Sequence, residues 1–285
     1  MIWIFLIIAL AVLIIGSYTD LKTREVPDWL NFALIFIGVG IHSILAITTS
    51  SWQPLLSSGV GLGIGIGVAF AMYYMGQWGG GDAKMLMGLG AILGFDISRL
   101  FLIDFIINAF ILGAVYGLIY GAVLALRKRK DFAKKFRELY YKTPGYLRIA
   151  MLWLLLLMIV LGLVVMFLFP SILLISVIGL LIVLLAVYYL YLFAKAVEKC
   201  CMLKYVKPSE LTEGDWIVDE IKIKGKYVCG PKDLGIEKKQ IQQLKKHNIK
   251  KVLIKDGIPF VPSFLISFIF TYYFGNVFYI FFTIL

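Results

Sequence analysis

The chain has 285 residues, of which 61% are hydrophobic, 15% aromatic and only 16% charged. Soluble domains ordinarily carry about 25% charged and about 45–50% apolar residues, so this composition excludes an ordinary water-soluble globule. The formal net charge of +11 comes from Lys and Arg that flank apolar runs, without a DNA- or RNA-binding motif, which points to membrane orientation and anionic lipid headgroups rather than to nucleic acid.

In chain order, apolar runs occupy residues 2–19, 29–48, 55–76, 83–95, 100–126, 149–169, 171–195 and 262–285. All but 83–95 reach the roughly 20 residues a helix needs to cross about 30 Å of hydrocarbon. The run at 83–95 would reach only about 20 Å, which implies thinned membrane or a helix end buried in protein. The first run, Ile2 to Ile15, has no basic segment before it and no small-x-small cleavage site after it, so it reads as a span and not as a cleavable signal.

Charge orients these runs. Lys22 and Arg24 follow the first, Arg127, Lys128, Arg129, Lys130, Lys134, Lys135 and Arg137 follow the fifth, and Lys195, Lys199 and Lys204 follow the seventh. If 83–95 crosses, every basic cluster falls on one side, which the positive-inside rule makes cytoplasmic. The expected fold class is an all-α polytopic membrane bundle of about eight transmembrane helices, both termini outside, with a small α+β cytoplasmic domain. The expected divisions are a transmembrane unit at 1–126, a basic cytoplasmic loop at 127–148, two further helices at 149–195, the α+β domain at 196–261 and a final helix at 262–285.

Within 55–76, glycines at 59, 61, 63, 65 and 67 form overlapping G-x-x-x-G pairs, a pattern of close helix packing that needs no chemistry to explain it. The loop 127–148 reads as partly helical, with a turn at Thr143-Pro144-Gly145 and a role at anionic lipid. In the α+β domain, Trp216–Val228 reads as a hairpin around Gly225, Ile236–His247 as an amphipathic helix and Lys251–Lys255 as a strand. The three cysteines, Cys200, Cys201 and Cys229, have neither the number nor the spacing for tetrahedral zinc, and their expected cytoplasmic setting keeps thiols reduced. No metal or cofactor is expected.

Ionisable side chains at the ends of spans need an account. Asp20 closes the first span and Asp82 opens the fourth, both at cytoplasmic ends and at similar depth. A carboxyl pair at one site splits its titration, so one member ionises and activates water while the other keeps a proton for the scissile carbonyl. Three glycines before Asp82 would let the backbone take unusual angles and let a substrate strand approach. The alternative for position alone is an N-cap at Asp82 and a boundary residue at Asp20.

The local sequence weighs against that alternative. Gly79-Gly80-Gly81-Asp82, followed by Ala83-Lys84, resembles the signature of GxGD membrane aspartic peptidases. Asp20-Leu21, followed by Val26-Pro27 and Leu30-Asn31, resembles the first-aspartate motif of type IV prepilin peptidases and archaeal preflagellin peptidases. The resemblance covers roughly 1–126. It implies Asp20 and Asp82 as the catalytic pair and Gly79 and Gly81 as loop-shaping residues. It also implies cleavage after the short basic leaders (class III leader peptides) of type IV pilin-like or archaeal flagellin-like precursors, at the cytoplasmic face of the cell membrane. The chain departs from many bacterial members in lacking the cysteine-rich loop and N-methylation region, and looks more archaeal. It lacks the Pro-Ala-Leu motif of the presenilin branch, which argues against cleavage within a transmembrane helix.

Glu25 and Asp28 are candidate contacts for a basic leader, or ordinary solvated loop charges. Lys84 reads as snorkelling to the headgroups, with tuning of Asp82 as a second role. Asp104 and Asn108, four apart on one helix face, read as an interhelical polar contact, and His42 as a packing residue. A membrane carrier or channel using Asp20 and Asp82 as an ion or proton relay is the rival function. It predicts charged residues along a path through the bilayer, and the mid-membrane depth is nearly empty of them.

Overall fold

The computed structural model describes residues 2–98, 100–142, 153, 156, 159, 160, 172–223 and 225–279. The chain is mostly helical, with α1 (Ile2–Thr23), α2 (Asp28–Thr48), α3 (Gln53–Tyr74), α4 (Gly80–Leu93), α5 (Phe101–Arg127), α6 (Arg129–Lys142) and α7 (Ile172–Val197). A π-helical turn at Glu198–Met202 leads into β1 (Leu203–Val206), β2 (Trp216–Ile217), β3 (Ile221–Ile223), β4 (Lys226–Cys229), α8 (Lys238–Lys246), β5 (Val252–Lys255) and α9 (Val261–Phe274). Among the described residues four helices are long and apolar enough to cross a membrane, Trp3–Thr23, Asp28–Thr48, Gln53–Tyr74 and Phe101–Arg127. Their outward faces carry exposed Ile7, Phe36, Ile44, Phe70 and Ile119, an apolar exterior suited to lipid and not to water. The expected span at 149–169 lies almost wholly outside the described residues, as does the turn at 143–145; α7 covers the segment read as the seventh span.

The chain forms two compact units, residues 1–119 with 204–285, and residues 120–203. In the first, α4 is the central element. Met85, Leu86, Leu89 and Ile92 are completely buried, so this helix of 14 residues does not have to match the thickness of hydrocarbon. It runs antiparallel to α3: Ser57 and Ser58 hydroxyls donate to the carbonyls of Phe95 and Ala91, each at 2.8 Å. Beyond them, a Cβ at Gly61 would collide with the Gly90 carbonyl, and one at Gly65 would lie 2.9 Å from the Leu86 carbonyl. Gly59, Gly63 and Gly67 face open space, so of the overlapping glycine pairs it is Gly61 and Gly65 that set the close approach. On its other side α4 runs parallel to α2, whose Gly38 leaves room for the backbone of Ala91 and Ile92. His42 stacks on Phe5 at 4.4 Å and bonds the Gly38 carbonyl, a packing residue as expected.

The last apolar run departs from expectation. α9 stops at Phe274 because Gly275 takes φ +70°, and its N–H caps back to Thr271. The broken backbone is satisfied by α5: the Asn108 amide donates to the Gly275 carbonyl and to Thr271 Oγ1, both at 2.8 Å. The Val277 N–H donates to Asn108 Oδ1 at 3.0 Å, and Asn276 donates to Asp104 at 2.9 Å. Asp104 and Asn108 thus make the expected interhelical contact, and the break they serve is what ends the helix after 14 residues.

The α+β domain contains a three-stranded sheet in the order β1-β5-β2 and the β3-β4 hairpin. The hairpin turns at Gly225 (φ +78°), but it begins at Ile221. Trp216 and Ile217, read as part of it, instead pair antiparallel with β5, which buries Ile217 beside Ile254, Val252, Leu244 and Ile241 of α8. In the second unit, α6 fills much of the basic loop, with no buried side chain and Phe132 edge-on to Phe193 of α7 at 5.6 Å.

Gly61→Ala should lower the thermal midpoint in detergent, at a cost of about 1–3 kcal/mol. Gly63→Ala, two residues along the same helix, should be neutral or stabilising by up to about 1 kcal/mol.

Candidate active site

Asp20 lies in the last turn of α1, where Arg24, in a left-handed conformation (φ 62°), ends the helix by donating its N–H to the Asp20 carbonyl at 2.9 Å. Asp82 lies in the first turn of α4. The helices bring them to one end of the bundle. A Cβ at Gly16, one turn before Asp20, would lie 2.7 Å from Met85 and 3.3 Å from Val261. One at Gly81 would lie 3.3 Å from Val26, just beyond the end of α1. These contacts seat the end of α1 against the start of α4, which puts the two acids on the same end of the helices. The Asp20 side chain is also within the field of Arg24.

Each carboxyl accepts a backbone amide through Oδ2, and the Phe260 amide also lies within reach of Asp20. The Gly79 N–H donates to Asp82 Oδ2 at 3.0 Å, the back-bond of a residue at the third position of a helix. The Val261 N–H, at the start of α9, donates to Asp20 Oδ2 at 2.9 Å. Among the described residues no hydrogen bond joins the two carboxyls, and none of good geometry reaches Oδ1 of either. One oxygen of each acid is committed to the scaffold.

The glycines before Asp82 act through space and not through unusual angles. Gly79 is extended (φ −72°, ψ 166°), and the positive-φ residue of this loop is Gly76 (φ +66°). A Cβ on Gly79 would stand 3.4 Å from Asp82 Oδ2, one on Gly81 would press on Val26, and one on Gly80 would meet nothing. Of these glycines Gly81 is the tightest, while a side chain at Gly79 would make an ordinary contact with Asp82. Asn31 is completely buried and donates to the Gly81 carbonyl at 3.4 Å, while its Oδ1 has no partner.

Trp78 precedes this loop and is 3% exposed. It stacks on Phe110 at 5.7 Å and packs against Phe260 at 5.5 Å and Phe264 at 5.2 Å, while Gly113 leaves the room that the Phe260 ring fills. The residue before Gly79 and the residue before Val261 are thus in contact, so the two amides that hold the acids share one aromatic support.

Of the charged candidates, Asp28 differs from expectation. It pairs with Lys84 at 2.6 Å, so Lys84 bridges α4 to α2 instead of simply reaching for headgroups, and Asp28 is already partnered. Glu25 is exposed and its charge reaches Asp215 of the α+β domain. Burial pushes the Asp215 carboxyl above its ordinary range, Thr212 hydrogen bonds oppose this and Glu25 reinforces it. Among the described residues, no three His, Cys, Asp or Glu side chains gather closely enough to hold a metal ion.

Val261, Arg24 and Trp78 escaped the sequence reading. Val261 contributes a main-chain group, which no residue type announces. Trp78 beside the glycines was a visible aromatic whose partners lie up to about 190 positions away, beyond the reach of periodicity.

Residues 7–118 match the model of the type IV leader peptidase family. Curated relatives include the preflagellin peptidases of Methanococcus voltae (35% identical over 86 residues, 30% of this chain and 36% of the relative), Methanocaldococcus jannaschii (33% over 81 residues, 28% and 34%) and Methanococcus maripaludis (36% over 81 residues, 28% and 35%). The chain spans about a third of the length of the curated relatives it matches. No solved structure matches significantly.

Trp78→Ala should destabilise the first unit by about 3–5 kcal/mol, the usual cost of emptying a large aromatic site. Trp78→Phe should recover most of that loss in thermal unfolding in detergent.

Proposed function

We propose, from the premise that residues 7–118 belong to the type IV leader peptidase family, that this membrane protein is an aspartic endopeptidase with Asp20 and Asp82 as its catalytic pair. Its substrates are precursors with short basic leaders, of the type IV pilin-like or archaeal flagellin-like kind. The active site faces the cytoplasm, where the basic clusters of the spans fall together. The expected division of the chain and its total of about eight spans are part of this reading.

The observation that carries it is the meeting of two distant acids at one bundle end, each with Oδ2 held by an amide. Two carboxyls within each other's field favour a single shared proton. The ionised member takes a proton from water, whose oxygen attacks the scissile carbonyl carbon, while the protonated member donates to the carbonyl oxygen. Collapse of the resulting diol breaks the C–N bond as the amine takes a proton from the pair. The acidic charge of Glu25, which reaches Asp215, suits a basic leader. Asp28, neutralised by Lys84, contributes less.

The test is cleavage of a tagged precursor by the purified protein in membranes. Asp20→Asn and Asp82→Asn should each lower the rate by roughly 10²–10⁴-fold with insertion unchanged, and activity surviving either change rejects the pair. Glu25→Lys should raise KM for a basic leader by about tenfold, equivalent to about 1.4 kcal/mol, and Asp28→Asn by less. Equal KM values for wild type and Glu25→Lys remove Glu25 from leader recognition.

A further inference from the structure

The family match ends at residue 118, yet Asp20 accepts its hydrogen bond from Val261, 241 positions along the chain. The first N–H groups of a helix have no partner within it. At the start of α9, Pro262 has none to give and the Ser263 N–H is used by the Phe260 carbonyl at 2.9 Å, leaving the Val261 N–H aimed at Asp20. That amide has little freedom. Asp256 pairs with Lys204 at 3.2 Å, the Gly257 carbonyl accepts from Arg24 at 3.3 Å, and Phe260 sits in the Trp78 cluster. Val261 itself is completely buried and packs beside Gly16.

We infer that the main-chain N–H of Val261 is a positioning group for Asp20, so that the last helix is a working part of the active site. This rests on the reading of Asp20 and Asp82 as the catalytic pair. An amide N–H bonds more strongly to a carboxylate or carbonyl oxygen than to a carboxyl hydroxyl, so the bond favours Oδ2 as the unprotonated and fixed oxygen. Proton exchange with the attacking water falls to Oδ1. Without the amide the carboxyl rotates about its own bond and loses that assignment, while the surfaces that hold the leader stay as they are. The signature is a loss in kcat with KM preserved.

Three changes at this position separate the donor from the side chain. Val261→Ala keeps the N–H and should retain kcat within about threefold of wild type. Val261→Pro removes the N–H but also disfavours the αR backbone of Phe260 (φ −97°, ψ −24°); it should lower kcat by about 100-fold, the scale of a roughly 1 Å misplacement in a reacting group, with KM within about threefold. Replacement of Val261 by its α-hydroxy acid, which exchanges the N–H for an ester oxygen and leaves the side chain intact, should reproduce the proline effect, and it decides the matter if the proline variant does not fold. An ester variant as active as wild type overturns the inference. The same assay includes Asp20→Asn: if that variant is inactive while the ester variant is active, the catalytic pair stands and the role of Val261 falls. If Asp20→Asn is active, the peptidase reading falls first.

Discussion

The close approach of α3 and α4 is the constraint on which the site depends. Gly61 and Gly65 let the two backbones touch where any side chain would hold them apart, and the serine bonds at residues 57 and 58 fix the sliding register. With α2 on its other flank, α4 is enclosed by protein. A helix of 14 residues would reach about 21 Å, too short for lipid on all sides, and enclosure removes that requirement. It also sets the depth of Asp82, because the first turn of α4 cannot move along the bundle axis without breaking the glycine contact.

Asp20 needs a different device, since α1 carries exposed apolar side chains over much of its surface and is less constrained by neighbours. It is fixed from outside α1, by the start of α9. The Trp78 cluster joins that support to the loop that holds Asp82. The Trp78–Phe260 contact thus couples the two supports, alongside the direct packing of α1 on α4.

Much of this was legible in the chain itself. The apolar runs at 2–19, 29–48, 55–76 and 100–126 match α1, α2, α3 and α5, and Gly79-Gly80-Gly81-Asp82 marked the start of α4. What sequence could not supply falls into two kinds. The first is main-chain chemistry: the amides of Gly79 and Val261 have no residue-type signature. The second is pairing at long range: Lys84 with Asp28, Trp78 with Phe260, and β2 with β5 depend on tertiary packing that hydrophobic period does not encode. The glycines show the same limit from the other side. Their presence was read as freedom of angle and room for a substrate strand, whereas Gly79 has an ordinary extended backbone and at Gly81 it is the room left for Val26 that matters.

The far end of α9 completes the argument. Asn108 binds the groups freed by the break at Gly275, and Asp104 holds Asn276. Those polar contacts have no bearing on the acids by distance, since α9 extends about 21 Å between its ends. Their effect is on register. A helix transmits displacement along its axis, and one residue of slip moves every amide by about 1.5 Å, enough to take the Val261 N–H out of hydrogen-bond range of Asp20. Anchoring the helix at its broken end therefore fixes the donor at its beginning. The break after Phe274 thus lets a half-buried helix of 14 residues be held at both ends.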